Sequence, residues 1–200
     1  MHYTIFNTPV INLFLRGLSL FCLKILGWKT VGQLPEISKY VIIFAPHTSN
    51  WDVLYGVFVA FTLKLDACYL AKKELFRWPF GPLMKWLGGI PIDRTTPGHT
   101  VNQMIQKFNE SERFVLAIAP EGTRRKVEYW KSGFYHIVEG AHVPILPGFL
   151  DYASKKGGVG PCIHPTGDIY RDMQTIQDFY TTIKGKNPDQ TSPAAVFLKT

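Results

Sequence analysis

Apolar residues along this chain follow two rhythms. Short unbroken runs rich in β-branched and aromatic residues alternate with stretches whose apolar positions recur every three or four residues. Tyr40-Val41-Ile42-Ile43-Phe44, closed by Ala45-Pro46, is the clearest run and predicts a buried strand. Residues 67–71 and 114–119 predict further strands, 89–92 a strand edge, and 143–150 a strand interrupted by prolines. Between them, residues 53–64 predict a helix with Asn50 as its cap. Residues 100–112 predict an amphipathic helix with Val101, Met104, Ile105 and Phe108 on one face. Basic and aromatic residues around Pro79 and Pro82 predict a loop and a short helix over 72–87, and Trp130-Lys131-Ser132-Gly133-Phe134 a helix start. The last fifteen residues, with their Pro, Asn, Ser and Thr, predict a tail that frays. Strands alternating with helices predict an α/β fold: one mixed β-sheet layered by helices.

The first 39 residues follow a different pattern. Thr8 can cap a helix, Pro9 suits its first turn, and Gly27 can end it. Asn12, Arg16 and Ser19 form one narrow polar stripe on that helix. Ile11, Phe14, Leu15, Leu18, Phe21, Leu23, Ile25 and Leu26 make the rest apolar. A helix apolar nearly all round is either buried or dips into lipid. Arg16, Lys24 and Lys29 favour a lipid surface, where they can meet phosphates. No run of eighteen uncharged apolar residues is present, so a bilayer-spanning helix is not expected, and the N-terminus lacks the basic start and cleavage site of a signal peptide. The expected organisation is an apolar membrane-surface helix and lead-in over 1–39 and a single domain over 40–200.

Composition narrows the classes. With 46% hydrophobic and 18% charged residues in 200, the chain is not disordered. Cys22, Cys68 and Cys162 are odd in number and widely spaced, which suggests neither a disulfide framework nor a zinc ribbon. The net charge of +7 points to an anionic partner: nucleic acid, a phosphorylated substrate or an acidic membrane. Nucleic acid is the poorest fit, because the positive residues are dispersed and no zinc finger, basic helix or stacking-aromatic motif is present.

Chemistry concentrates in the loops that follow strands. His47-Thr48-Ser49-Asn50-Trp51-Asp52 places an acid five residues after a histidine. Folded back, the carboxylate can hold one imidazole N–H while the other nitrogen takes a proton from a hydroxyl. The same spacing also suits a capping Asp beside an unrelated loop histidine. In Pro120-Glu121-Gly122-Thr123-Arg124-Arg125, glycine permits a tight turn, Arg124 can grip a phosphate through paired hydrogen bonds, and Thr123 can add a hydroxyl. Asp93-Arg94, after Ile92, offers a second phosphate-binding arginine or a structural turn. Lys72-Lys73-Glu74-Leu75-Phe76-Arg77-Trp78 reads as a solvated basic loop or as a phosphate and thioester contact. In the second reading, Trp78 and Phe80 sit in a lipid interface. Lys131 is a lesser binding candidate. His2, His99, His136, His142 and His164 lack ligand spacing, so no metal site is expected.

Taken in order, His47 with Asp52, then Ile92-Asp93-Arg94, Glu121-Gly122-Thr123-Arg124 and Val143-Pro144-Ile145-Leu146-Pro147 resemble the four blocks of the glycerolipid acyltransferases. That family includes the 1-acylglycerol-3-phosphate acyltransferases. The resemblance covers about residues 40–150 and weakens beyond Asp151. It implies the glycerol-3-phosphate acyltransferase-like fold and a membrane-associated O-acyltransferase of phospholipid biosynthesis. Its donor would be an acyl thioester, acyl-CoA or acyl carrier protein, and its default acceptor the lysophospholipid 1-acylglycerol 3-phosphate. His47 would be the general base and Asp52 its orienting acid. Arg124, Gly122 and Thr123 would hold the acceptor phosphate, with Arg94 assisting and Glu121 orienting them; Lys72 and Lys73 would be further substrate contacts. No cofactor beyond the co-substrate is implied. The place of work would be the cytoplasmic face of a membrane, peripheral or monotopic, on an anionic surface. Pro91 stands where the family often has an aromatic residue, and the chain has only 46 residues before His47, so acylation of another head group is an alternative, as is a catalytically idle lipid-binding relative.

Overall fold

The computed structural model describes residues 4–92 and 98–196. Arg94 and Asp93 lie outside the described residues. Seven strands form one sheet: β1 (Lys29–Val31), β2 (Lys39–Phe44), β3 (Cys68–Lys72), β4 (Gly89–Ile92), β5 (Phe114–Ile118), β6 (Ile145–Asp151) and β7 (Lys156–Val159). Their spatial order is β1-β7-β6-β2-β5-β3-β4, parallel throughout except for the antiparallel β6–β7 pair. The mixed, helix-layered sheet expected from the alternation of elements is what the chain forms.

Strand β2 shows why its run carries no polar residue between its ends. Val41 and Ile43 pack into a cluster with Met104, Phe108, Phe134, Tyr135 and Ile176, contributed by the helices α4 (His99–Glu110), α5 (Gly133–Ala141) and α6 (Ile169–Tyr180). Tyr40 and Ile42 face the opposite way and pack with Leu65, Val115 and Leu146. Helices α1 (Pro9–Ile25) and α2 (Trp51–Leu63) continue that second layer through Leu23 and Val59, which meet Leu150 and Trp28. A parallel strand covered on both faces has no solvent side to keep polar. The short α3 (Gly81–Trp86) follows a 3-10 turn at Lys73–Phe76, as the proline-bearing segment predicts.

Helix α1 begins and ends where the sequence signals place it. Pro9 opens it, and Gly27 at φ +73° lets Trp28 N–H reach back to Leu23 O at 2.8 Å. Its orientation inverts the usual amphipathic rule. Ser19 and Leu23 are buried against the protein, while Val10, Leu13, Phe14 and Phe21 face solvent. The polar stripe is therefore the packed side. Arg16 lies on it, half-buried with its Nε shielded from solvent, whereas Lys24 and Lys29 are exposed.

Two expectations are corrected. Asn50 occupies the cap position of α2 without a side-chain capping bond; Ser49 Oγ instead accepts from Trp51 N at 3.2 Å. The C-terminal segment does not fray through residue 196. Ala195 O accepts from Trp130 N at 2.6 Å, Ser192 Oγ accepts from Val127 N at 3.0 Å, and Ala194 is buried.

Candidate active site

Three of the four blocks, and Lys72 with them, become neighbours because β2, β5, β3 and β4 run parallel side by side. The loop of His47 leaves the carboxyl end of β2, Glu121-Gly122-Thr123-Arg124 leaves β5, Lys72 closes β3, and Ile92 closes β4. Open α/β sheets gather ligands at this edge. The fourth block lies on β6, beside β2, where Tyr180 Oη is 2.7 Å from Ile43 O and 3.0 Å from Gly148 O. It pins the strands just before the His47 loop departs.

His47 and Asp52 meet as a pair, with Nδ1 to Oδ2 at 3.2 Å. The same Oδ2 accepts from the backbone N–H of Thr48 and of Ser49, each at 2.8 Å, and Oδ1 accepts from Tyr152 Oη at 2.8 Å. Asp52 is 1% exposed. Burial alone would raise its pKa, but the hydrogen bonds from His47, Tyr152, Ser49 and Thr48 outweigh it and hold the carboxyl below its ordinary value. In the uncharged imidazole, an ionised Asp52 favours the tautomer with the proton on Nδ1, which leaves Nε2 as the acceptor. Tyr152 gains from the arrangement in turn: burial and the Asp52 charge raise its hydroxyl, keeping it a donor. Aromatic contacts with Trp28 and Tyr55 hold its ring.

Glu121 ties its turn to the His47 loop. It is 2% exposed, and its Oε2 accepts from the His47 backbone N–H at 2.8 Å. Burial pushes its pKa to about 7, with the His47 N–H opposing the rise. An unfolded glutamate ionises near pH 4.5, so between that value and 7 the unfolded chain binds fewer protons than the folded one. Stability therefore falls with rising pH over this window, by about 2–3 kcal/mol. Glu121→Gln is expected to flatten that part of the profile. Urea unfolding of both proteins from pH 5 to 8 measures it, and parallel profiles would show that Glu121 does not titrate there.

His47, Lys72, Gly122, Thr123, Arg124, Arg125 and Lys131 line a cleft of about 700 Å³. Its inner wall is apolar, formed by Leu70, Ile92, Val101, Ile118, Phe134 and Ile137. Cations at the mouth and an apolar interior suit an anionic amphiphile. Gly122 stands at φ +65°, and a Cβ there would approach Lys131 Cε to 2.9 Å, so glycine lets this lysine lie over the turn. Lys73 starts the 3-10 turn, exposed and away from the cleft lining. Asp52 and Glu121 stand behind His47 rather than in the wall. Tyr152 had no local sequence signal: it is 100 residues from its partner Asp52 and becomes a neighbour only through the sheet. No cluster of metal-binding side chains occurs among the described residues.

Comparison with known proteins bears on this site as a whole. The profile of the Acyltransferase family matches residues 29–150, and the chain belongs to that family. Among relatives, it is 30% identical over 140 residues to the 1-acyl-sn-glycerol-3-phosphate acyltransferase of Streptococcus pneumoniae, covering 67% of this chain and 52% of the relative. The enzyme of the same name from Escherichia coli is 30% identical over 149 residues, covering 71% of this chain and 56% of that one. The chain thus spans about half the length of the curated relatives it matches. The crystal structure of the 1-acyl-sn-glycerophosphate acyltransferase from Thermotoga maritima superposes with a TM-score of 0.59 at 16% identity, covering 88% of this chain and 81% of the other, which supports the shared fold.

Proposed function

We propose that the protein transfers a fatty acyl group from an acyl thioester to the hydroxyl of a lysophospholipid, with 1-acylglycerol 3-phosphate as the acceptor. The observation that carries this reading is the hydrogen-bonded His47–Asp52 pair at the rim of a cleft whose mouth is cationic and whose interior is apolar. His47 Nε2 takes the acceptor's hydroxyl proton, and the oxygen attacks the thioester carbonyl. The thiol leaves with a proton returned from His47, so the imidazole ends neutral. Arg124, with Thr123 and the open backbone at Gly122, binds the phosphate, Arg94 and Lys72 belong to the same proposed substrate-binding set, and Lys73, outside the cleft lining, is left to a contact at the surface. Either acyl-CoA or acyl carrier protein satisfies this chemistry as donor, and no further cofactor enters it. The names of the relatives support the choice of acceptor.

The protein works in this reading at the cytoplasmic face of a membrane, with α1 of the 1–39 lead-in as the docking element and 40–200 carrying the catalytic loops; β1 of the lead-in completes the catalytic sheet. Among the described residues no helix is long and apolar enough to cross a membrane. The outward apolar face of α1, together with exposed Trp78 and Phe80, supports surface docking on anionic lipid.

The test is acyl transfer by the purified protein on vesicles, comparing 1-acylglycerol 3-phosphate with 1-acylglycerol and each with both thioester donors. The phosphate-bearing acceptor is expected to react preferentially. Arg124→Ala is expected to raise the acceptor KM about 10- to 100-fold and leave the donor KM unchanged, since loss of a charge-assisted pair costs on the order of 1.5–3 kcal/mol. Equal use of both acceptors by the parent protein would overturn the assignment of acceptor.

A further inference from the structure

The segment 184–196 lies outside the part of the chain that matches the family, yet it grips both loops of the site. Asn187 N–H donates to Thr48 Oγ1 at 3.2 Å, and Asn187 Nδ2 donates to Thr48 O at 2.8 Å. Gly185 packs against the same residue so closely that a Cβ there would lie 2.8 Å from Thr48 Oγ1 and 3.2 Å from Pro46 Cγ. Gln190, with its amide nitrogen turned towards the carbonyls as the surrounding acceptors require, donates to Arg124 O at 2.7 Å and Thr48 O at 3.2 Å. Further along, Ser192 and Ala195 accept from Val127 N and Trp130 N, just beyond the phosphate turn. Thr48 and Arg124 are thus joined from outside the cleft by one strap.

We infer that Asn187 is a positioning residue that sets the His47–Asp52 geometry through Thr48. Thr48 adjoins His47 in the chain, and its N–H is one of the bonds that aim the Asp52 carboxylate. The Thr48 carbonyl that Asn187 holds shares its peptide plane with Ser49 N–H, the second backbone donor to Asp52 Oδ2, and the held hydroxyl tethers the residue between the two donors. Asn187 has no place in the cleft lining, so its influence runs through the loop rather than through substrate. Its exposed position makes truncation compatible with folding. Small displacements of a reacting group are expensive: about 1 Å can cost on the order of 100-fold in rate. One bond of several should cost less than that.

The inference rests on the acyl-transfer reading for its kinetic arm but not for its exchange arm. In Asn187→Ala, amide hydrogen exchange of peptides containing Thr48 and Ser49 is expected to speed up about tenfold while β5 peptides exchange as before. On the proposed reaction, kcat is expected to fall about tenfold with both KM values unchanged. In an Asp52→Asn background the same substitution is expected to cost less than twofold, because the geometry it protects is already lost. Asn187→Gln reaches for the same carbonyl and should recover part of the kcat. Unchanged exchange at Thr48 and Ser49 would overturn the positioning role whether or not the protein transfers acyl groups. So would a full tenfold cost in the Asp52→Asn background, which would place Asn187 on a separate function. An absence of acyl transfer by the parent protein, with the exchange change present, counts against the reaction alone.

Discussion

His47→Ala is expected to lower kcat for acyl transfer by on the order of 10³-fold, with the KM of both substrates changing little. Removal of the imidazole takes away the group that accepts the hydroxyl proton, and positioned general-base catalysis contributes about 10²–10⁴-fold. Asp52→Asn is expected to cost nearly as much, although it leaves His47 in place. The parent carboxylate accepts four hydrogen bonds, from His47, Thr48, Ser49 and Tyr152. An asparagine has one acceptor oxygen, so whichever way it turns its NH2 faces a donor. If that NH2 meets His47, the imidazole takes the other tautomer and Nε2 carries the proton instead of accepting one. The two effects should not multiply: the double variant is expected to be within a fewfold of His47→Ala.

Acidity offers a separate check on Asp52. Its lowered pKa means the stability it confers is fully present above the ordinary carboxylate value of 3.8 and is lost only as pH falls through the folded-state value below it. Moderate acidification therefore leaves Asp52 ionised, and a fall in the parent's rate there does not come from its protonation. Single-turnover acyl transfer with saturating donor measures these rates, alongside thermal unfolding to confirm the fold. A parent-like rate in both single variants would remove the mechanism.

The catalytic half of this arrangement was legible in the sequence because it is local. Five residues of spacing bring Asp52 back to His47, and the turn from β5 carries its own glycine and arginine. Strand β2 was equally clear, since a strand buried on both faces leaves an unbroken apolar run. What escaped had no local signature. Strand β7 reads Lys156-Gly157-Gly158-Val159, the composition of a turn, yet a Cβ on Gly158 would lie 1.8 Å from Val31 O and one on Gly157 2.7 Å from Leu150 Cδ2. Close packing, not chain reversal, explains those glycines. Strand β1 is three residues long and exists only because β7 lies beside it. Helix α6 did carry a signal, Asp168 capping the N–H groups of Tyr170 and Arg171, in a region where the family resemblance has faded. The strap at 184–196 has the composition of a loose tail, and its order comes from partners more than fifty residues away.

Trp78→Ala/Phe80→Ala is expected to weaken partitioning onto anionic vesicles about 100-fold and to leave thermal unfolding in solution unchanged. Trp78 is 89% exposed and Phe80 65%, so neither contributes much to the folded core. Transfer of two largely exposed aromatic side chains into an interface is worth about 2–3 kcal/mol, which corresponds to that change in partitioning. Helix α1 supplies a separate reason to expect a membrane. A helix in water turns polar residues outward, whereas α1 turns Ser19 inward and presents Leu13, Phe14 and Phe21. Exposed Leu54 and Val57 of α2, against which α1 packs, extend the apolar surface. Lys24 and Lys29 are exposed at the end of α1 and just beyond it, where lipid phosphates can pair with them. Sedimentation with vesicles of graded phosphatidylglycerol content separates the two contributions: the aromatic substitutions should reduce binding at every composition, while added salt should reduce only the part that grows with anionic lipid. Undiminished binding of the aromatic double variant at all compositions would move the docking face away from Trp78 and Phe80. Loss of binding by an α1 variant such as Phe14→Ser/Phe21→Ser, with Trp78 and Phe80 intact, would then confine docking to the first helix.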